Sequence, residues 1–180
     1  MPETILTRPE RPSDDDRIAA LQRLAFGPGA YARAAFRVRE QAPHDRSLSF
    51  VTEADGEPIA SVRLTPIRVG ARRGLLLGPL VVDPAHTNLG YGKALMRLAL
   101  EKARKAGCPF VLLVGDAPYY APLGFRPLPP GRVRMPGPVD PARLLVAELK
   151  PGAAEGLSGT VAGIVDSTTA CAEVRSAAGA

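Results

Sequence analysis

The stretch VVDPAHTNLGYGKALMRLALEKARKAG, Val81 to Gly107, decides how this chain is read. Leu95, Met96, Ala99, Leu100, Ala103 and Ala106 recur at helical spacing and form one apolar stripe, while Lys93, Arg97, Glu101 and Arg104 form the opposite face. Basic residues fill the last turn and Gly107 ends the helix. Its first turn, however, carries Gly90 and Gly92, and glycine there costs about 1 kcal/mol each relative to alanine. Such a cost is understandable where the backbone must come close to a ligand, because the free N–H groups and positive end of a helix attract an anion.

The flanks place this helix in an α/β context. GLLLGPLVV before it is apolar throughout and reads as a strand buried on both faces, with Gly78-Pro79 marking a bulge or an interrupted ladder. CPFVLLVG after it is a second buried strand, so strand, helix and strand make a βαβ unit with two parallel strands. Upstream, TILTR predicts a first strand. SDDDRIAALQRLAF predicts a helix with Ser13 as its N-cap, and YARAAFRVREQ a weaker one. SLSFVTEADGEPIASVRLTPIRV predicts two strands about the turn ADGE. Eight prolines from Pro118 to Pro141 keep regular structure brief there, and ARLLVAELK predicts a last strand. The organisation expected is a single domain over residues 1–150 and a C-terminal extension over 151–180. The first part of that extension can pack; its last dozen or so residues, rich in Ala, Gly, Ser and Thr, read as disordered.

Composition narrows the function. The 180 residues are 46% hydrophobic and 23% charged, as in a soluble globular protein. The net charge of +5 is scattered and no nucleic-acid motif accompanies it. Aromatics make up 5% with no Trp, so neither a nucleic-acid nor a membrane partner is expected. MPETILTRPERPSDDD has no apolar signal core. Cys108 and Cys171 make no metal-binding pair, and Cys108 reads as a buried thiol, which suits a reducing cytoplasm.

The loop 87–93 reads as a phosphate cradle. A Walker loop needs Gly at 87 and Ser or Thr at 94, but Thr87 and Ala94 stand there. A dinucleotide fingerprint needs Gly or Ala at 95, where Leu95 stands, and DPAHTNL separates its first glycine from the strand. What matches is x-x-x-G-x-G/A after a strand and a short loop. With LGPL before it, GDAPYY and LGF after it and ELKPGAAEGLSGTV further on, the chain over roughly residues 3 to 161 resembles the GNAT superfamily of N-acetyltransferases, in its YhbS-like bacterial branch.

That resemblance implies a mixed α/β sheet with helices on both faces, in which strands 75–82 and 109–115 splay apart and acetyl-CoA lies between them. It implies that the pantetheine arm adds to the open edge of the first strand through the backbone of Leu80 and Val82, either side of Val81. The pyrophosphate would sit on the amides of Asn88, Leu89, Gly90, Tyr91, Gly92 and Lys93, with Ala94 completing the loop. Thr87 stands where the family usually has Gln or Arg, and Asp116 where it commonly has an Asn that contacts pantetheine. Tyr120, beside Tyr119, matches the tyrosine that acts as general acid towards the departing thiolate; packing against Tyr119 is the alternative. Val82 N–H would support the developing oxyanion. Asp83, His86, Glu53 and Asp116 are candidate bases, with a water relay as the alternative. Lys93 and Arg97 either meet the adenosine phosphates or form a solvated face. The expected activity is acetyl transfer from acetyl-CoA, without a metal, to a primary amine of a small molecule or peptide, by a monomer or homodimer. An acyl-CoA sensor with little turnover is the alternative. Loops 26–46 and 126–142 are expected to select the acceptor.

Overall fold

The computed structural model describes residues 3–27, 34–165 and 171. Its core is a sheet built on β3 (Glu57–Val69) and β4 (Arg72–Val82), two long antiparallel strands joined by a tight turn at Gly70 and Ala71. β2 (Phe50–Ala54) and then β1 (Ile5–Pro9) extend it on one side, both antiparallel. On the other side β5 (Phe110–Val114) runs parallel to β4, and β8 (Leu144–Glu148) and the short β6 (Arg126–Pro127) follow antiparallel. β9 (Gly159–Gly163) covers the far half of β3, beyond the reach of β2, and pairs with the two-residue β7 (Val133–Arg134).

The central strands alternate between two cores, as a period of two demands. Val62, Leu64, Leu75, Leu77, Val111, Leu113, Leu145 and Ala147 face one way, towards α3 (Tyr91–Lys105). Ile67, Val69, Leu76, Phe110, Leu112, Leu144 and Val146 face the other, towards α2 (Ala34–Arg39). Hence both faces of these strands are apolar in sequence. α3 buries Leu95, Met96, Ala99, Leu100 and Ala103, and each of the larger of these contributes about 1.5–3 kcal/mol. Ala106, assigned to that stripe from the sequence, is exposed, because the helix has already ended at Lys105 and Gly107 turns the chain away at φ +83°. α1 (Asp15–Phe26) packs Ile18 and Leu21 on the opposite face of the sheet.

Other expectations need correction. Ser13 is not the N-cap of α1. A 3-10 turn at Pro12–Asp14 precedes that helix, and the Asp14 carboxylate accepts from the Arg11 N–H at 2.7 Å. β8 is not the last strand, since β9 lies in the extension and buries Ala154, Leu157 and Val161 together with the loop before it. Cys108 is not a free thiol: it is disulfide-bonded to Cys171, their Cα atoms 4.6 Å apart. The inference from unpaired cysteines to a reducing compartment therefore falls. Apart from Cys171, the tail expected to be disordered lies outside the described residues. No helix among the described residues is long and apolar enough to cross a membrane.

Near the N-terminus, charge is concentrated in two ion-pair clusters. Arg8 bridges Asp14 and Glu53, and Glu10, fully buried, accepts from His44, Arg46 and Arg63. Hydrogen bonding from Arg8 holds the Asp14 carboxyl below its ordinary range against the opposing effect of burial.

Candidate active site

β4 and β5 pair only at Leu75–Val111 and Leu76–Leu112. Beyond Leu76 the two strands diverge and leave a cleft of about 530 Å³, lined on one side by Leu77 to Leu80 and on the other by Leu113 to Asp116. The divergence coincides with a break in the β3–β4 ladder. Leu64 pairs with Leu77 and Val62 with Leu80, so Gly78 and Pro79, joined by a cis peptide, stand opposite Arg63 alone. Past this bulge the Asp83 N–H donates across to the Ile59 carbonyl at 2.7 Å. Since backbone groups alternate along a strand, the N–H and C=O groups of Val82 and Leu80 point away from β3, to the open edge. Val81 between them is buried and turned to the sheet.

The edge runs into the loop that opens α3. Asp83 begins it, its carboxylate accepting from the Ala85 N–H at 2.9 Å. Thr87 Oγ1 donates back to the Pro84 carbonyl at 3.0 Å, so this side chain braces the loop. Asn88 at φ +64° and Gly90 at φ +87° take the left-handed conformation that lets the chain enter the helix. The first helical bond runs from the Ala94 N–H to the Gly90 carbonyl. The amides of Tyr91, Gly92 and Lys93 therefore precede the helical ladder and face the loop. Gly92 is buried, and a Cβ there would touch Val82 Cγ2 at 3.4 Å, Tyr119 Oη at 3.6 Å and Leu80 Cδ2 at 3.8 Å. Thr87, Asn88, Leu89, Lys93 and Ala94 are exposed, and Tyr91 is half-buried.

Across the cleft, α4 (Ala117–Tyr120) starts after Asp116. Tyr120 lines the cleft and packs edge-on against Tyr119 and Phe125, with ring centroids 4.8 and 6.0 Å away. Gly115 makes this seat possible, because a Cβ on it would overlap the Tyr120 ring. Burial pushes the Tyr120 hydroxyl above its ordinary value of about 10, and Tyr119 and Asp116 add to the effect while Arg143 opposes it. The group thus stays protonated through neutral pH. Lys93 Nζ lies 5.6 Å from the centre of the Tyr119 ring, tying α3 to α4.

The candidate bases are dispersed. Asp83 is paired with Arg17 at 3.0 Å, Glu53 with Arg8, and His86 faces Glu3 at 3.4 Å. Asp116 alone of the four lines the cleft, where it is exposed and lies 3.3 Å from Arg143 Nε. Phe26 and Arg39, the last residues of α1 and α2, also line the cleft; both lie in the segment 26–46 expected to select the acceptor, although no motif singles them out individually. Among the described residues no cluster of His, Cys, Asp or Glu is placed to hold a metal.

A mixed sheet split between two parallel strands, with a glycine-opened helix at the split, defines a class of α/β proteins, and comparison with known proteins identifies its family. The acetyltransferase (GNAT) family model matches residues 16–125, and the chain belongs to that family. It is 27% identical over 159 residues to the uncharacterized N-acetyltransferase YhbS of Escherichia coli, covering 87% of this chain and 95% of that one. It is 28% identical to the uncharacterized N-acetyltransferase YjhQ of Escherichia coli, a match that spans 64% of this chain and just under two thirds, 66%, of the relative. The crystal structure of Escherichia coli YhbS in complex with CoA superposes with a TM-score of 0.73 at 27% identity over 91% of this chain and 92% of that one. A GNAT acetyltransferase from Brucella melitensis in complex with acetyl-CoA superposes with a TM-score of 0.58 at 28% identity, covering 79% of this chain and 94% of that one.

Proposed function

We propose that this protein transfers the acetyl group of acetyl-CoA to a primary amine of a small molecule or peptide by direct attack within a ternary complex. The observation that carries this reading is the continuity of three features: the open backbone edge at Leu80 and Val82, the uncommitted amides at the start of α3, and Tyr120 across the cleft. CoA and acetyl-CoA complexes of the two structural relatives support the choice of co-substrate.

The residues fit such a ligand. The edge of β4 can pair with the two amides of a pantetheine arm as another strand would. The amides from Asn88 to Lys93, with the positive end of α3 behind them, suit a pyrophosphate. Thr87, turned back onto Pro84, leaves this contact to the backbone. The Val82 N–H, pointing into the cleft, can donate to the carbonyl oxygen as negative charge develops on it. Tyr120 donates a proton to the leaving sulfur, whose thiol has a pKa of about 8.5. The attacking amine must be neutral, and its proton leaves to water or by way of Asp116, which lines the cleft.

The test is to incubate the protein with acetyl-CoA and a panel of amines while following free thiol, with acetyl-CoA binding measured in parallel. Thiol release that depends on amine supports the transferase. Binding without release would make the protein an acyl-CoA sensor instead.

A further inference from the structure

A second cavity, of about 200 Å³, lies between α1, α2 and the bulge in the β3–β4 ladder, and it shares Phe26, Arg39 and Pro79 with the cleft. Two polar groups at its wall have no partner among the described residues: Thr65 Oγ1, on a residue only 1% exposed, and Gln22 Nε2. Leaving a buried polar group unpaired costs free energy, so two such groups at one cavity point to something that satisfies them when bound. Thr65 follows Arg63 by two residues on β3, and both therefore face this side of the sheet.

The character of the wall says what that something is. The amide nitrogen of Gln22 and the guanidinium groups of Arg23, Arg39 and Arg63 can only donate, and among the described residues no carboxylate lines the cavity. An ammonium group would meet donors and positive charge, and an apolar group would leave Thr65 and Gln22 unsatisfied. The charge that remains is modest, because Arg63 is engaged by Glu10 and Asp15, and His44 by Glu10. That balance suits a monoanion better than a phosphate dianion.

We propose that this cavity receives a carboxylate of the acceptor, and that the acceptor is a small amine bearing a carboxylate. The carboxylate sits against Thr65 and Gln22, with Arg23 adding positive potential at the rim. The amine extends past Pro79 into the cleft towards Tyr120. The Arg39 guanidinium, whose Nη1 would lie 3.5 Å from a Cβ on Gly78, stands at the passage between the two spaces. This assignment rests on the transferase reading above and deepens it.

The experiment uses the full chain and amino acids with the amine α, β or γ to the carboxylate. Each is paired with its carboxamide and its decarboxylated amine, and aminophosphonates are included. CoA release gives kcat and KM; calorimetry on CoA-saturated protein gives acceptor binding without turnover. At least one acid should exceed its own carboxamide tenfold or more in kcat/KM. Thr65→Val, which keeps the shape and removes the unpaired hydroxyl, should raise the KM for that acid at least fivefold. It should leave kcat within about twofold, acetyl-CoA binding unchanged and the melting temperature no lower. Acids that bind in a Thr65-dependent way without turnover uphold the pocket and sink the transferase instead. Carboxamides, amines or aminophosphonates used as well as the acids overturn the pocket assignment and leave the transferase standing. A Thr65→Val protein with unchanged KM, or no acid binding at all, also overturns it.

Discussion

Replacing Gly92 by aspartate should separate folding from cofactor binding, because the two effects have opposite signs. The residue is the second of α3, where an acid interacts favourably with the positive helix end by about 0.3–1 kcal/mol and gains about 0.3 kcal/mol in propensity over glycine. The Cβ fits, since the nearest atoms, Val82 Cγ2 and Tyr119 Oη, would lie at ordinary contact distances of 3.4 and 3.6 Å. Stability should therefore hold or rise slightly. A carboxylate about 4 Å from a bound phosphate, however, is repelled by about 1 kcal/mol in bulk water and about 4 kcal/mol at an effective dielectric of about 20. That range corresponds to a loss of about 5- to 800-fold in affinity, and we expect at least tenfold, about 1.4 kcal/mol. Calorimetry with acetyl-CoA at two salt concentrations measures it, beside a thermal melt. Gly92→Asn supplies the same bulk without the charge and should lose much less. An aspartate variant that melts like the wild type and binds acetyl-CoA equally well would remove the phosphate from the start of α3.

Three further outcomes are expected. Tyr120→Phe should keep acetyl-CoA affinity and lower kcat by roughly 100-fold; because the native pKa is raised above about 10, any stability this hydroxyl contributes is lost as pH rises through the native value, and the mutant should lack that alkaline loss. Equal kcat from pH 6 to 10, with chemistry rate-limiting, would make Tyr120 a packing residue. Arg8→Ala should destabilise by about 3–5 kcal/mol at neutral pH, since it leaves the buried Asp14 and the partly buried Glu53 without their cation. The depressed Asp14 pKa means that its stabilisation is present above about 4 and fades as pH falls, so denaturation curves of the two proteins should converge in acid; a constant gap would refute the pairing. Peptide mapping of unreduced protein should recover Cys108 linked to Cys171, and two alkylatable thiols in the native protein would contradict the structure.

What the sequence determined by itself is whatever depends on neighbours a few residues apart. The stripe of α3, the continuous apolar runs of β4 and β5 and the paired glycines of the loop are legible because a helix repeats every 3.6 residues and a strand every two. The bulge at Gly78-Pro79 was legible for the same reason, as proline has no N–H to give the ladder. Only the tertiary structure decided matters that join distant segments. Gly115 carries no side chain to advertise its purpose until the Tyr120 ring is seen against it. Asp83 and Glu53 looked like free carboxylates until Arg17 and Arg8 were found beside them. The strand β9, made of Gly, Thr, Val and Ala, is weak in propensity and forms because the far half of β3 offers it an unpaired edge. The pairing of Cys108 with Cys171 spans 63 positions, and spacing alone does not encode it. Thr65 and Gln22 are unremarkable letters in the chain, and their unpaired atoms acquire meaning only where α1, α2 and β3 bring them to one wall.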